Sequence, residues 1–346
     1  MNGRQRVFDT LQGKPAGAAT VFATEFWALN RRGYSIKDFL ENPKKLAPLV
    51  IEEALGIDSD IFFLLAGLTG VPVMELGGQM RFPERGAPFM EKPLIENEMD
   101  LQKLDIATVK SGDKVRSLQQ VAGFINKCVK EKQVLAVNCR APFTQAAQMV
   151  GPDRFMRLLY RDEVFVREVM EFSTRLFIEY VTLFIEEGIE MIYISDPSAS
   201  GDLISRKHFE KYVFPYLNDV NDYIKGRGVK TLLHICGDTT DRLDLIRKIG
   251  PDIMSVDHKV DLTLARKLLG DDVCLAGNVD PSSVMEYGDP GDVTRAATEC
   301  IKAAGAGKFI LMPGCEISGN TPMKNIKEFL RVGHRHCMSE SEAGGK

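Results

Sequence analysis

The residues whose chemistry is most directly readable are one histidine and two cysteines. His234 and Cys236 lie in Leu232-Leu233-His234-Ile235-Cys236-Gly237-Asp238, and Cys315 lies in Leu311-Met312-Pro313-Gly314-Cys315-Glu316. Both stretches read as ends of buried strands. Val229 to Ile235 is apolar and strand-like, and Gly237-Asp238-Thr239-Thr240 breaks it and caps the helix that follows. Strand side chains alternate faces, so His234 and Cys236, two apart, point the same way. An imidazole nitrogen, a sulfur and a second sulfur from another strand end make a zinc pocket with three protein ligands. Three ligands leave one coordination position open, which is the catalytic arrangement. His-x-Cys is not a compact zinc-finger spacing, so the competing reading is a hydrogen-bonded core histidine beside two cysteines that pack as small hydrophobes.

Other polar residues collect at the ends of the same kind of strand. Asp196 closes the run Ile189 to Ser195, where it serves as a catalytic carboxylate or caps the loop Pro197-Ser198-Ala199-Ser200. Glu316 follows Cys315 directly. It either swings onto the open metal position or, by backbone alternation, points away, with Glu75 or a water as the competing fourth ligand. Asp257-His258 and Gly277-Asn278-Val279-Asp280-Pro281 end two more strands, and Asn278 is a candidate for cofactor contact. Trp27, the only tryptophan, is either a stacking platform for a bound cofactor or a core aromatic. Cys139 lacks a neighbouring ligand and reads as pocket lining.

The elements that must position these residues alternate regularly. Strands are expected at 19–24, 61–65, 133–139, 189–195, 229–235, 253–256, 273–276 and 309–312. Helices are expected between them, ending with 290–304. About eight strands interleaved with helices is the signature of a single closed (β/α)8 TIM barrel, whose catalytic groups sit at the C-terminal strand ends. Residues 4–55 supply an N-terminal helical extension around the first strand. The Gly- and Pro-rich excursion 67–93, with a hairpin near 71–82 that carries Glu75, is expected to lie over the barrel mouth. The barrel domain is read as 1–338 and the tail 339–346 as disordered.

With 346 residues and 44% hydrophobic composition, the chain can bury a large core, and its net charge of -4 argues against a nucleic-acid binder. No stretch approaches a membrane span, and the amino terminus lacks a signal-peptide core. Seven cysteines at irregular intervals do not form a disulfide framework. A reducing cytoplasm is therefore expected, which keeps Cys236 and Cys315 available as thiolates.

Five motifs carry a resemblance: Ala141-Pro142-Phe143-Thr144, Asp196-Pro197-Ser198-Ala199-Ser200, His234-Ile235-Cys236-Gly237, Gly277-Asn278-Val279-Asp280-Pro281 and Pro313-Gly314-Cys315. With them the chain resembles the uroporphyrinogen decarboxylase superfamily over nearly its full length, and within it the zinc-dependent corrinoid methyltransferases of the methylcobalamin:coenzyme M type. The resemblance implies zinc held by His234, Cys236 and Cys315. It also implies a methyl group moved between a corrinoid, such as methylcobalamin as co-substrate, and a small acceptor such as the thiol coenzyme M. The corrinoid would arrive on a separate corrinoid protein docked at the mouth, because the chain has no Asp-x-His-x-x-Gly cobalamin motif. Transfer in the opposite direction, from methanol, a methylamine or an aryl methyl ether, stays open. So does a zinc hydrolase using Asp196, Glu316 or His258 as base, and a non-catalytic partner of a corrinoid protein. The true decarboxylases carry an arginine pair after the first strand and a histidine in the last loop. This chain has Thr24-Glu25-Phe26-Trp27 and Cys315 at those places, which leaves decarboxylation as the weaker alternative.

Overall fold

The computed structural model of the chain describes residues 1–14, 16–83 and 88–343, with 336–343 described by their backbone alone. Nine strands are present among these residues: β1 (Ile61–Leu64), β2 (Met80–Arg81), β3 (Phe89–Met90), β4 (Val134–Arg140), β5 (Met191–Ser195), β6 (Lys230–Ile235), β7 (Ile253–Val256), β8 (Cys274–Val279) and β9 (Phe309–Pro313). Seven of them form one parallel sheet in the order β1-β4-β5-β6-β7-β8-β9. Its two edges are joined by residues 18–24, where Ala19 pairs with Leu311 and Thr24 with Phe63, both in parallel. This segment is the eighth stave and closes a TIM barrel. It falls where the first strand is expected, yet it forms only two bridges. The reason is local: Ala23 N donates to Val21 O at 2.7 Å, a three-residue turn that bends the segment out of a continuous ladder.

Period-two alternation divides each stave between two cores. Phe22, Phe63, Ala136, Tyr193, Leu232 and Met312 are among the residues that fill the barrel interior as one apolar cluster. Continuing by twos toward the C-terminal strand ends, the interior positions turn polar: Asn138 and Arg140, Ser195, His234, Ser255 and Asp257. The apolar interior is thus the floor of a polar mouth.

The residues of opposite parity pack against the surrounding helices in a second cluster. The helix Pro290–Ala304 shows how sequence sets these elements. Asp289 and Asp292 form a capping box, Pro290 opens the first turn, and Gly305 follows the end. Its buried face is Val293, Ala297, Ile301 and Ala304, the spacing of one helical stripe. Burial of a residue the size of Ile301 contributes roughly 1.5–3 kcal/mol.

Several elements differ from expectation. The excursion after β1 is not one long hairpin: Val71–Glu75 is a short helix with Pro72 in its first turn, and only β2 and β3 pair as a hairpin. Residues 84–87 of this excursion lie outside the described residues. Helices at Glu98–Lys103, Ala107–Ser111 and Pro142–Val150 were not expected. A final helix, Met323–Ala343, follows β9, so 339–343 of the expected disordered tail are helical in backbone, and 344–346 lie outside the described residues. Among the described residues no helix is long and apolar enough to cross a membrane.

Candidate functional site

β6 carries His234 into the barrel mouth, Cys236 follows one residue beyond the strand, and Cys315 arrives from the loop after β9. Their ligating atoms all lie within 4.8 Å of one another. Two sulfurs bound tetrahedrally to zinc at about 2.3 Å lie about 3.8 Å apart, and a nitrogen at about 2.0–2.1 Å sits about 3.5 Å from each. Here Cys236 Sγ is 3.8 Å from Cys315 Sγ and 3.3 Å from His234 Nε2. The donor set and its spacing therefore fit zinc.

The surroundings orient these donors. His234 Nδ1 lies 3.2 Å from the Ser255 carbonyl and 3.1 Å from its hydroxyl. A carbonyl only accepts, so Nδ1 carries the proton and Nε2 keeps its lone pair toward the sulfurs, an assignment inferred from the network. Phe22 meets the imidazole edge-on at 5.9 Å, and Tyr193 lies 6.2 Å away. Gly237 holds φ +84°, and a Cβ there would fall 2.4 Å from Asp202 Oδ2. One on Gly314 would fall 2.4 Å from the His258 backbone nitrogen. Gly237 is thus required by its conformation, and Gly314 by the close approach of the His258 backbone.

The two sulfurs titrate as a pair. The hydrogen bond from Cys315 holds Cys236 below the ordinary thiol range, while the bond to Cys236 and burial drive Cys315 well above it. Burial pulls the His234 imidazole down, but hydrogen bonding and charge from Cys315 outweigh it and leave the ring raised. A metal here displaces protons from the donors, so its affinity falls as pH drops.

Among the other sequence candidates, Asp196 is fully buried. Its Oδ1 accepts from Thr144 N at 3.0 Å and Thr144 Oγ1 at 2.5 Å, tying down the start of the helix Pro142–Val150. Its Oδ2 has no partner among the described residues, and burial pushes the carboxyl up to about 7. Glu316 is not one of the three converging donors and accepts from Thr24 Oγ1 at 2.5 Å, with its carboxyl also pushed up to about 7 by burial. Beside it, Glu25 is fully buried, accepts from Ala66 N and Gly67 N, and is raised to about 8 by burial with the Glu316 charge adding to it. His258 Nδ1 is 3.0 Å from Asp257 Oδ1.

Four expectations are corrected. Trp27 is no stacking platform: it lies inside the helix Glu25–Arg31, capped by Thr24, and is 0% exposed in the outer core. Asn278 spends both amide hydrogens on Asp257 O at 3.0 Å and Val260 O at 2.6 Å, so it latches the loop after β7 instead of contacting a cofactor. Glu75 accepts from Lys114 N at 3.0 Å, at the start of the helix Asp113–Val129. Cys139 has the outward parity of β4 and packs in the outer core, where burial pushes its thiol up.

The sequence reading missed Arg140, the last residue of β4. Its Nε and Nη2 both donate to Thr69 Oγ1, at 3.1 and 2.6 Å. Burial lowers its pKa, although Tyr193, Cys236, Asp196 and Glu316 are close enough for their charges to oppose that shift. The signal was present as Val134, Ala136, Asn138 and Arg140, an inward face that changes from apolar to polar.

Comparison with known proteins bears on the family and the fold. The pattern of the uroporphyrinogen decarboxylase (URO-D) family matches residues 5–336. A methylcobamide:CoM methyltransferase (MtbA) of Methanosarcina acetivorans is 31% identical over 70% of this chain and 70% of its own length. Its counterpart in Methanosarcina mazei is 33% identical over the same shares. A uroporphyrinogen decarboxylase of Geotalea uraniireducens is 26% identical over 95% of this chain and 98% of its own length. Among solved structures, a methyltransferase from Methanosarcina mazei superposes with a TM-score of 0.86 at 20% identity, covering 97% of this chain and 99% of that one. The chain therefore belongs to the uroporphyrinogen decarboxylase family, and within it to the branch that includes the Methanosarcina methylcobamide:CoM methyltransferases.

Proposed function

We propose that this protein is a zinc-dependent methyltransferase that moves a methyl group between a corrinoid and a small thiol. The class of enzyme, a corrinoid-dependent methyltransferase, follows from its relatives. The observation that carries the finer reading is the three-donor cluster of His234, Cys236 and Cys315, whose spacing suits one zinc ion with a position left for substrate. With zinc in place, a thiol ligand is held as the thiolate at neutral pH.

The chain's own residues account for the remaining requirements. Ser255 fixes the His234 ring, and the apolar floor of Phe22, Phe63 and Tyr193 closes the site from below. A thiol that binds as thiolate must lose its proton. Asp196 Oδ2, without a protein partner among the described residues and in a carboxyl that burial pushes up to about 7, can receive it. Glu316, also near 7 and held by Thr24, offers a second acceptor. The methyl group would then pass between the sulfur and a corrinoid presented from outside at the open strand ends by a separate protein. A reducing compartment such as the cytoplasm is the setting this chemistry needs.

Decarboxylation of a polycarboxylate fits less well, because Glu25 and Glu316 line the region where the decarboxylases would place cations. The test is to assay zinc per chain and to mix the protein with methylcobalamin and a thiol panel while following cob(I)alamin by its spectrum. A reverse panel starts from cob(I)alamin with methanol, methylamines and methoxylated aromatics. About one zinc per chain and thiol methylation are expected. Release of carbon dioxide from uroporphyrinogen, with methyl transfer in neither direction, would overturn the proposal.

A further inference from the structure

At the end of the barrel opposite the metal donors, a cavity of about 280 Å³ opens on the seam where the sheet closes. It lies between the end of the helix Gly3–Leu11, with the segment after it, and the loop that enters β9. Lys14 and Lys308 line it, and no carboxylate is among its lining residues. Gly305, another lining residue, holds φ +69°, and a Cβ there would meet nothing within 4 Å, so bare backbone faces open space.

The donors around this cavity are poorly matched by acceptors. Lys308 is half-buried and forms no ion pair among the described residues. Lys14 is held by Asp9 Oδ1 at 2.9 Å. Directly behind Gly307, where a Cβ would fall 2.7 Å from Arg266 Cζ, the Arg266 guanidinium donates only to the carbonyls of Ala304, Gly270 and Lys308, at 3.0, 3.4 and 2.7 Å. Carbonyls leave its full charge uncompensated. The backbone contributes as well. Leu311 N donates across the seam to Ala18 O at 3.0 Å, and strand alternation turns Phe309 N, two residues earlier, to the same side, where it meets no acceptor among the described residues. The N–H groups of Ala306, Gly307 and Lys308 likewise have no partner among these residues. Thr10, which also lines the cavity, is 4% exposed and its hydroxyl is unpartnered.

Cations at this end of a barrel could serve simply to satisfy the carbonyls of the helix ends that gather there. Most of those carbonyls are already taken. Phe8 O and Asp9 O accept from Gln12 N, Thr10 O accepts from Gly13 N, Lys302 O accepts from Gly305 N, and Ala304 O accepts from Arg266. Lys308 is therefore left over, beside a run of unpaired N–H groups. Several N–H donors and two ammonium charges around one space suit a group with several acceptor oxygens and more than one negative charge.

We propose that this cavity binds a phosphate group through Lys308, Lys14 and the backbone N–H groups of residues 306–309. The anion fastens β9 to the first stave, which the chain itself pairs through the bridge of Ala19 with Leu311. The site is independent of the methyl-transfer reading.

Calorimetry and thermal unfolding test it, with inorganic phosphate and glycerol 3-phosphate as probes and with glycerol and chloride at matched ionic strength as controls. Wild type binds phosphate and glycerol 3-phosphate and unfolds at a higher temperature in their presence, as for any ligand held by the folded state alone. Lys308→Met and Lys14→Glu each weaken binding about tenfold or more, the size expected for losing or opposing a charge-assisted hydrogen bond. Lys14 is exposed, so its variant keeps the test available if Lys308→Met does not fold, and zinc content reports an intact barrel in both. Arg140→Met, altered at the opposite end of the barrel, binds as wild type does. Tighter binding of glycerol 3-phosphate than of phosphate assigns the site to a phosphate monoester, and the reverse assigns it to the free anion. Wild type that responds to neither probe beyond chloride overturns the proposal. So does binding that survives both lysine variants or is lost in Arg140→Met, since the anion would then sit elsewhere.

Discussion

The two ends of the barrel treat a buried carboxylate in opposite ways. At the N-terminal end Asp60 is fully buried and satisfied: Arg6 Nη2 donates to it at 2.6 Å, Ala19 N donates at 2.8 Å, and a His334 ring nitrogen lies 3.2 Å away. At the C-terminal mouth Asp196 is equally buried, yet among the described residues only one of its oxygens is bonded, and Glu25 and Glu316 lie near each other without a cation in contact. Arg140, which could neutralise one of them, bonds to a hydroxyl instead. Charges at the floor are spent on closing the barrel, and those at the mouth are left for a reaction.

The largest effect expected from this comparison lies at the mouth. Cys236→Ala or Cys315→Ser should remove zinc and take methyl transfer to background while far-UV circular dichroism stays native, since neither sulfur is part of either apolar cluster. Full zinc retention by Cys315→Ser would remove it from the ligand set.

At the floor the order reverses, with stability lost and chemistry kept. Asp60→Ala leaves Arg6 with only the exposed Asp58 at 3.7 Å and the Met1 carbonyl, and strips the acceptor from Ala19 N, a loss of about 3 kcal/mol, the lower end of the usual cost of breaking a buried pair. Chemical denaturation should show that loss, while zinc per folded chain stays as in wild type. If zinc fell in proportion, the two ends would not be independent.

A smaller effect is expected one step out from the metal donors. Ser255→Ala removes the hydroxyl at 3.1 Å from His234 Nδ1 but leaves the carbonyl at 3.2 Å, so metal affinity should fall about tenfold, at the lower end of the range for such partners. Competition with a zinc chelator measures it, and unchanged affinity would mean that the carbonyl alone orients the ring.

The same contrast explains what could be read from the sequence. Parallel strands buried on both faces appear as continuous apolar runs, so β7 (Ile253–Val256) has the expected limits, as does the capped helix Pro290–Ala304. The cysteines and His234 stood out because their residue types are unusual at strand ends. The helix Pro142–Val150 was hidden because Arg140 to Thr144 looked like a strand-end loop, although Pro142 in the first turn was a signal for it. Trp27 and Asn278 were misplaced for a common reason: sequence places a residue near a strand end but not on a side of it. Trp27 had already entered a helix, and Asn278 turned to the loop after β7. Arg140 was missed because what marks it is its place beside Cys236, Asp196 and Glu316, which only the closed barrel brings together.

A further effect concerns pH and tests whether the mouth carboxylates are destabilising. Glu25 is raised from its ordinary 4.5 to about 8, first by burial and further by the Glu316 charge. The folded state therefore holds a proton that the unfolded chain releases. Its contribution to stability is fully present below about pH 4.5 and is lost as pH rises through about 8. Asp196 and Glu316, each at about 7, act with the same sign, so the wild-type curve is a sum and only a difference isolates Glu25. Glu25→Gln keeps one carbonyl oxygen for the N–H groups of Ala66 and Gly67 and cannot ionise. Near pH 4.5 the variant should match wild type to within about 1 kcal/mol, the worth of one neutral hydrogen bond. As pH rises to 9, it should become progressively the more stable of the two. Urea denaturation of both proteins at intervals across that range measures the difference, and parallel curves would show that Glu25 ionises in the folded state as easily as in water.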